Sequence, residues 1–219
     1  MSTLVQIRTR VAKLLVDTGF GVTSSAYIDE NINDAQKELA ELLHIFHSTA
    51  TTSSVSGTQT YSLASDYQSM YSDNQSVQYV DSSSTKHYPQ KVDYNWLFQN
   101  YRDTLTTSTD TPSYYYLTDT TIGFYPTPNY SGSSNLTYHY FNRPATLSSD
   151  STESNFNTRW TTAIVYKATQ LAFEQRERYA EADMFEKRFN KEFAKIANTG
   201  DSITGPKSSI GIGYFGVGQ

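Results

Sequence analysis

The sequence predicts an α+β protein: a helical bundle from the N- and C-terminal helices, an inserted antiparallel β-rich subdomain, and an extended C-terminal arm. Three observations predict it. Apolar residues recur at helical spacing near both chain ends. Between them lies a stretch rich in Ser, Thr, Val and Tyr that alternates with period two. The final stretch, TGDSITGPKSSIGIGYFGVGQ, follows neither pattern. The expected boundaries are 1–47 together with 158–198 for the bundle, 48–157 for the β insertion and 199–219 for the arm.

The strongest single pattern runs from Arg159 to Ala197 without Gly or Pro. Trp160, Ile164, Ala168, Leu171, Gln175, Arg178, Ala182, Phe185, Phe189, Phe193 and Ile196 share an arc of about 100° on a helix. Only Gln175 and Arg178 in that row are polar. A straight helix of that span is about 60 Å long, whereas a compact chain of 219 residues is about 45 Å across. Either the helix breaks near Gln175–Arg178, or its far half packs outside its own domain. The favoured expectation is a continuous, overhanging helix whose Phe185, Phe189, Phe193 and Ile196 pack between subunits.

Taken in order, the chain begins with a helix over 3–17, its apolar face made by Leu4, Ile7, Val11, Leu14 and Leu15. Gly19 or Gly21 ends it in a left-handed cap. Ser24 or Ser25 caps a second helix with Ile28, Ile32, Ala35, Leu39, Leu42, Leu43 and Phe46 on its buried face. Strands are expected near 49–55, 58–63, 67–71 and 76–80, with turns at Ser56-Gly57 and Ser72-Asp73-Asn74. After Pro89 a short helix turns Val92, Trp96 and Tyr101 or Leu97 toward a sheet. Strands at 113–118 and 121–126 form a hairpin through Asp119-Thr120, and another strand covers 135–141. A Ser/Thr/Asp-rich link, 148–158, leads into the final helical stretch.

Composition narrows the chemistry. The chain has no Cys, which removes thiolate catalysis, disulfides and Cys-ligated zinc. Its net charge of −5 comes without a dense Lys/Arg stripe, so sequence-specific DNA binding is not expected. No apolar run reaches membrane-spanning length, and the N-terminus lacks a signal-peptide pattern. Gly211-Ile212-Gly213-Tyr214-Phe215-Gly216 spells a dinucleotide fingerprint, but no helix can follow it. His44 and His47 sit three apart at a helix end without a third ligand in view, so no metal or other cofactor is expected. Eighteen tyrosines, against two tryptophans, fit sheets with half-wet faces. They also leave open a carbohydrate-binding or adhesin-type module, although alternation sends the rings of Tyr114-Tyr115-Tyr116 to opposite faces.

The arm alternates Ile210, Ile212, Tyr214, Phe215 and Val217 with Gly211, Gly213, Gly216 and Gly218. Such a segment adds an edge strand to a partner more readily than it folds alone.

The order of segments resembles that of tailed-bacteriophage head-to-tail adaptor (connector, or head-completion) proteins. The resemblance rests on RTRVAKLLVD…IDENINDAQKELAELLHIF, GTQTYSLASDYQSM, PSYYYLTDTTIGFYPTPN, LTYHYFNRPATLSSDSTES and the helical stretch that follows, from Thr3 to Ala197. It implies a non-enzymatic virion protein in the neck, a homo-oligomeric ring of about twelve copies joining the portal to the tail or nozzle. DNA would pass through that ring without being read. The resemblance also implies that a C-terminal segment engages the portal, here Ile210, Ile212, Tyr214, Phe215 and Val217.

Overall fold

A computed structural model describes residues 1–17, 24–73 and 75–198. It is α+β, with five α-helices and mainly antiparallel sheets among the described residues. The chain divides into two compact units, Met1–Gln36 with Leu147–Gln219, and Lys37–Thr146. The caps expected at Gly19 or Gly21, and the arm, lie outside the described residues.

In the first unit, α1 (Leu4–Asp17) buries Leu4, Ile7, Val11 and Leu15. Its first N–H groups lack intrahelical acceptors, and the link supplies them: Leu4 N–H donates to the Thr152 carbonyl at 2.9 Å and Val5 N–H to that of Asp150 at 3.3 Å. Helix α2 (Ser25–Leu43) is capped by Ser24, whose hydroxyl accepts from Tyr27 N–H. Ile28, Ile32, Ala35, Leu39 and Leu43 are buried as expected, but Leu42 is 57% exposed. The buried face also carries polar groups that periodicity missed. Gln36 accepts from Ser154 Oγ at 2.7 Å, and Asn33 brackets Leu147, accepting from its N–H at 2.8 Å and donating to its carbonyl at 3.3 Å. Arg8 then ties α1 to α2 through a two-pronged bond to Asp29 (2.6 and 2.7 Å) and to the link through Asp150. The Asp29 carboxylate, with Asp150 behind it, raises the Arg8 pKa further above its already high ordinary value.

The expected continuous helix is corrected here. A 3₁₀ turn (Thr158–Trp160) leads into α4 (Thr161–Glu174), and α5 (Tyr179–Asn198) begins after a sharp reversal. Glu177 takes φ +58°, its N–H donates to the Glu174 carbonyl, and Arg178 N–H reaches back to Phe173 O at 3.0 Å. That is a Schellman-type ending with Glu where Gly is usual. Arg178 then lies over the Phe173 ring, 5.0 Å from its centroid, and bonds Glu181. The reversal turns the single apolar row into two facing halves. Phe173 stacks on Phe185 at 5.6 Å, and Trp160 meets Phe193 at 5.9 Å. A left-handed Glu costs about 1–2 kcal/mol. Each aromatic ring it allows the hairpin to bury returns about 1.5–3 kcal/mol, so the break wins.

The second unit is a sandwich with a helix on its outer side. Its first sheet orders β1 (His47–Ser54), β11 (Gly132–Asn142), β4 (Val77–Val80) and β5 (Lys86–His87), with β3 (Tyr67–Met70) also on β11. The second orders β2 (Thr60–Ser62), β9 (Thr121–Tyr125), β8 (Tyr114–Leu117) and β6 (Gln90–Lys91). A short parallel pair joins β7 (Thr109–Asp110) to β10 (Thr127–Pro128). The strands foreseen from period two fall close to their expected places; the two-residue ones were too short to leave a pattern. Met70, Val77, Tyr115, Ile122, Phe124, Leu136, Tyr138 and Tyr140 fill the space between the sheets.

Strand β8 faces both ways. Tyr115 enters the core between the sheets, whereas Tyr114 and Tyr116 turn to a second cluster with Leu97, Leu105 and Tyr125. Opposite Tyr116 stands Gly123, and a Cβ there would fall 2.1 Å from the Tyr116 ring. Gly123 is therefore the floor on which that ring lies. Gly57, with φ +81°, makes the turn expected at Ser56-Gly57. Helix α3 (Tyr94–Tyr101) starts at Asp93, whose carboxylate accepts from Asn95 N–H at 2.7 Å. Only Leu97 of this helix is fully buried; Trp96, expected to face the sheet, is 40% exposed. No helix among the described residues is long and apolar enough to cross a membrane.

Candidate interaction surfaces

The residues expected to pack between subunits take their places within the chain. Phe185, Phe189 and Ile196 are buried, and Phe193 is half-buried against Trp160 and Phe189. Lys167 and Arg188 lie over the Phe189 and Phe185 rings, at 5.8 and 4.9 Å from their centroids. The α4–α5 hairpin thus gives the apolar row partners within the chain. The five arm residues, Ile210, Ile212, Tyr214, Phe215 and Val217, lie outside the described residues.

Surfaces the sequence reading did not single out lie in the β unit. The first surrounds β1. His44 follows α2 with φ +48°, and its ring meets Phe141 edge-on at 4.8 Å. His47 packs on the same Phe141 at 5.0 Å and hydrogen-bonds the Tyr71 hydroxyl. Tyr71 lies 4.5 Å from Phe141, and His139 bonds Thr49 Oγ1 at 2.8 Å. Three of the four histidines therefore gather on the outer face of this sheet. Among the described residues no group of three or more His, Cys, Asp or Glu has the geometry to hold a metal ion. The sequence carried a signal for this face: Thr137, His139 and Phe141 alternate with the buried Leu136, Tyr138 and Tyr140.

The second surface is α3. Tyr94 and Phe98 are 45% and 46% exposed, and Arg102 covers part of the Phe98 ring. Trp96 rests on Tyr114 and Tyr101, at 5.4 and 6.0 Å. Nothing in the helical periodicity announced this exposure, because eight residues hold only two turns.

Electrostatics inside the β unit are those of a packed scaffold. Burial raises the pKa of the Tyr61, Tyr67, Tyr115, Tyr116 and Tyr138 phenols above the ordinary value. Two of these hydroxyls serve structure: Tyr138 accepts from Ala64 N–H at 2.8 Å, and Tyr115 shares a bond with Ser76. Asp66 accepts from Tyr140, and Asp81 binds His87 at 2.8 Å. The bond from His87, helped by the Thr85 and Ser83 amides, holds Asp81 below the usual carboxylate range.

No curated protein matches the chain. The sequence pattern defining the SU10 adaptor protein family matches residues 2–209, covering both compact units and ending one residue before Ile210. The chain belongs to this family of phage head-to-tail adaptors, and its role is that of a structural adaptor protein of a bacteriophage.

Proposed function

We propose that this chain forms the adaptor ring at the neck of the virion, about twelve copies seated between portal and tail and extending the DNA channel. The observation that carries the reading is the family match along 2–209, which takes in the helical unit and the β unit alike. In this reading the two chain ends form a bundle, the β sandwich is its insertion, and residues 199–219 leave the subunit to bond another chain. DNA passes through without sequence readout. An excess of 22 acidic over 17 basic side chains supports that, since a phosphate-gripping surface would need a basic stripe. Made in the host cytoplasm, the protein takes its place in the neck without catalysing a reaction.

The test is to mix the purified protein with the portal of the same phage and image the product by electron microscopy. A symmetric ring on the portal, in fixed stoichiometry, supports the reading. A portal that stays bare at micromolar protein overturns it. A monomer in the absence of portal decides nothing against it, because a portal can template the ring.

A further inference from the structure

The β unit ends in an unusual edge. β1 is eight residues long, pairs with β11 along one side, and has no strand on its other side among the described residues. The other strands of the two main sheets that pair on one side only, β3, β5, β2 and β6, are two to four residues long. Sheet edges are usually blunted by Lys, Pro, a bulge or a covering element. HSTATTSS contains neither Lys nor Pro, and its one irregularity in pairing with β11 falls between Thr52 and Ser54, so His47–Thr52 run in regular register. Its core-side residues are Ser48, Ala50 and Thr52, opposite Tyr140, Tyr138 and Leu136. They are small and only partly buried, so the inter-sheet core tapers at this edge. On the outer side the same strand carries His47 beside Phe141, Tyr71 and His44.

The chain itself holds a complementary segment. In an extended strand, Ile210, Ile212 and Tyr214 would share one face, and Gly211 and Gly213 the other. From Phe215 the pattern inverts: Phe215 and Val217 take the second face, with Gly216 and Gly218 on the first. Residues 210–219 and β1 carry no Lys, Arg, Asp or Glu, so their pairing desolvates none of these charges.

We propose that residues 210–217 of one copy add a strand, antiparallel, to the free edge of β1 in the neighbouring copy of the ring, with Ile210 beside Thr52, Ile212 beside Ala50 and Tyr214 beside Ser48. In this register the two isoleucines and Tyr214 complete the tapering core. The inversion after Tyr214 then carries Phe215 onto the outer face beside His47, where Phe141, Tyr71 and His44 present aromatic surface. A parallel strand would place Phe215 beside Ser53 and leave that surface bare. The eleven residues 199–209 span at most about 35–40 Å, enough to cross to an adjacent subunit. The contact is head-to-tail, the kind that closes a ring when its rotation closes. The proposal rests on the ring reading, and it directs the end of the arm to a second copy rather than to the portal.

The absence of native Cys makes disulfide trapping clean. Full-length chain carrying Thr52→Cys with Ile210→Cys is assembled on the portal, oxidised and run on a non-reducing gel, with rings counted by microscopy. Paired strands bring Cα atoms to about 4.5–5.5 Å, within disulfide range. The expected result is a ladder of covalent dimers, trimers and higher oligomers that collapses on reduction, with no ladder from Ser48→Cys with Ile210→Cys. A ladder from the second pair alone overturns the antiparallel register. A bond closed within one chain, or complete rings with no bond from either pair, overturns the exchange between copies while leaving the ring reading intact. No ring at all from the unaltered protein sinks the ring reading instead.

Discussion

The helical unit and the β unit treat their apolar surface in opposite ways. The C-terminal helical stretch has the longer apolar row, yet it folds on itself at Gln175–Arg178 and hides Phe185, Phe189 and Ile196 within the chain. The β unit has a buried core, yet exposes Tyr94, Trp96 and Phe98 on α3 and, among the described residues, pairs the eight-residue β1 on one side only. A long helix can double back wherever one residue accepts a left-handed turn, because each half then supplies the other's partner. A sheet has no such remedy: its last strand always has a free side unless the sheet closes. Among the described residues, unpaired strand edge therefore collects in the sandwich.

This contrast can be probed unit by unit, since each contains one of the two tryptophans, Trp160 in the helical unit and Trp96 in the β unit. Fluorescence of a Trp96→Phe variant follows the first unit, and that of Trp160→Phe the second. The largest effect is expected from Phe185→Ala, which removes a fully buried ring stacked on Phe173 and should cost the helical unit about 3–5 kcal/mol in urea denaturation. A loss under about 1 kcal/mol would show that the hairpin is not held by this row.

Next comes Gly123→Ala in the β unit. The new methyl group meets the Tyr116 ring, and the ring can leave only by disturbing its cluster with Leu97 and Tyr125. Overpacking of this kind costs about 1–3 kcal/mol. The Trp96 signal should report the loss while that of Trp160 stays in place.

Alkaline pH should separate the units further. Burial raises the folded-state pKa of Tyr61, Tyr67, Tyr115, Tyr116 and Tyr138, all in the β unit. A raised pKa contributes stability that is complete below the unfolded-state value, about 10, and is lost as pH rises through the folded values. Above about pH 10 the Trp96 signal should collapse together with a rise in phenolate absorbance. Phenolates appearing at the unfolded-state value with the fold intact would refute the burial argument. The smallest effect belongs to Leu42→Gln, at an exposed position on α2: within about 0.5 kcal/mol by thermal melting.

The outcome of each sequence expectation follows the range over which its cause acts. The faces of α1 and α2, the Ser24 cap, the Gly57 turn, the β8–β9 hairpin and the opposed rings of Tyr115 and Tyr116 were legible, because spacing and cap chemistry operate within a few residues. The break after Glu174 was visible only as two polar residues in an apolar row, with no Gly or Pro to mark it. The histidine-rich face was half legible. The alternation around His139 was present, but the approach of His44, His47 and Tyr71 depends on the pairing of β1 and β3 with β11.

By itself, then, the sequence determined the α+β class, most of the elements, the inward set of each helix and strand, and, through its order of segments, the adaptor family. Only the tertiary structure decided that the last helical stretch is a hairpin, that the Ser/Thr-rich link caps α1, and that β1 is the longest strand left with an open side among the described residues. The physical reason is one of distance. Periodicity records which side of an element avoids water. Which other element provides the shelter depends on bonds such as Leu4 to Thr152 and Asn33 to Leu147, between residues more than a hundred positions apart.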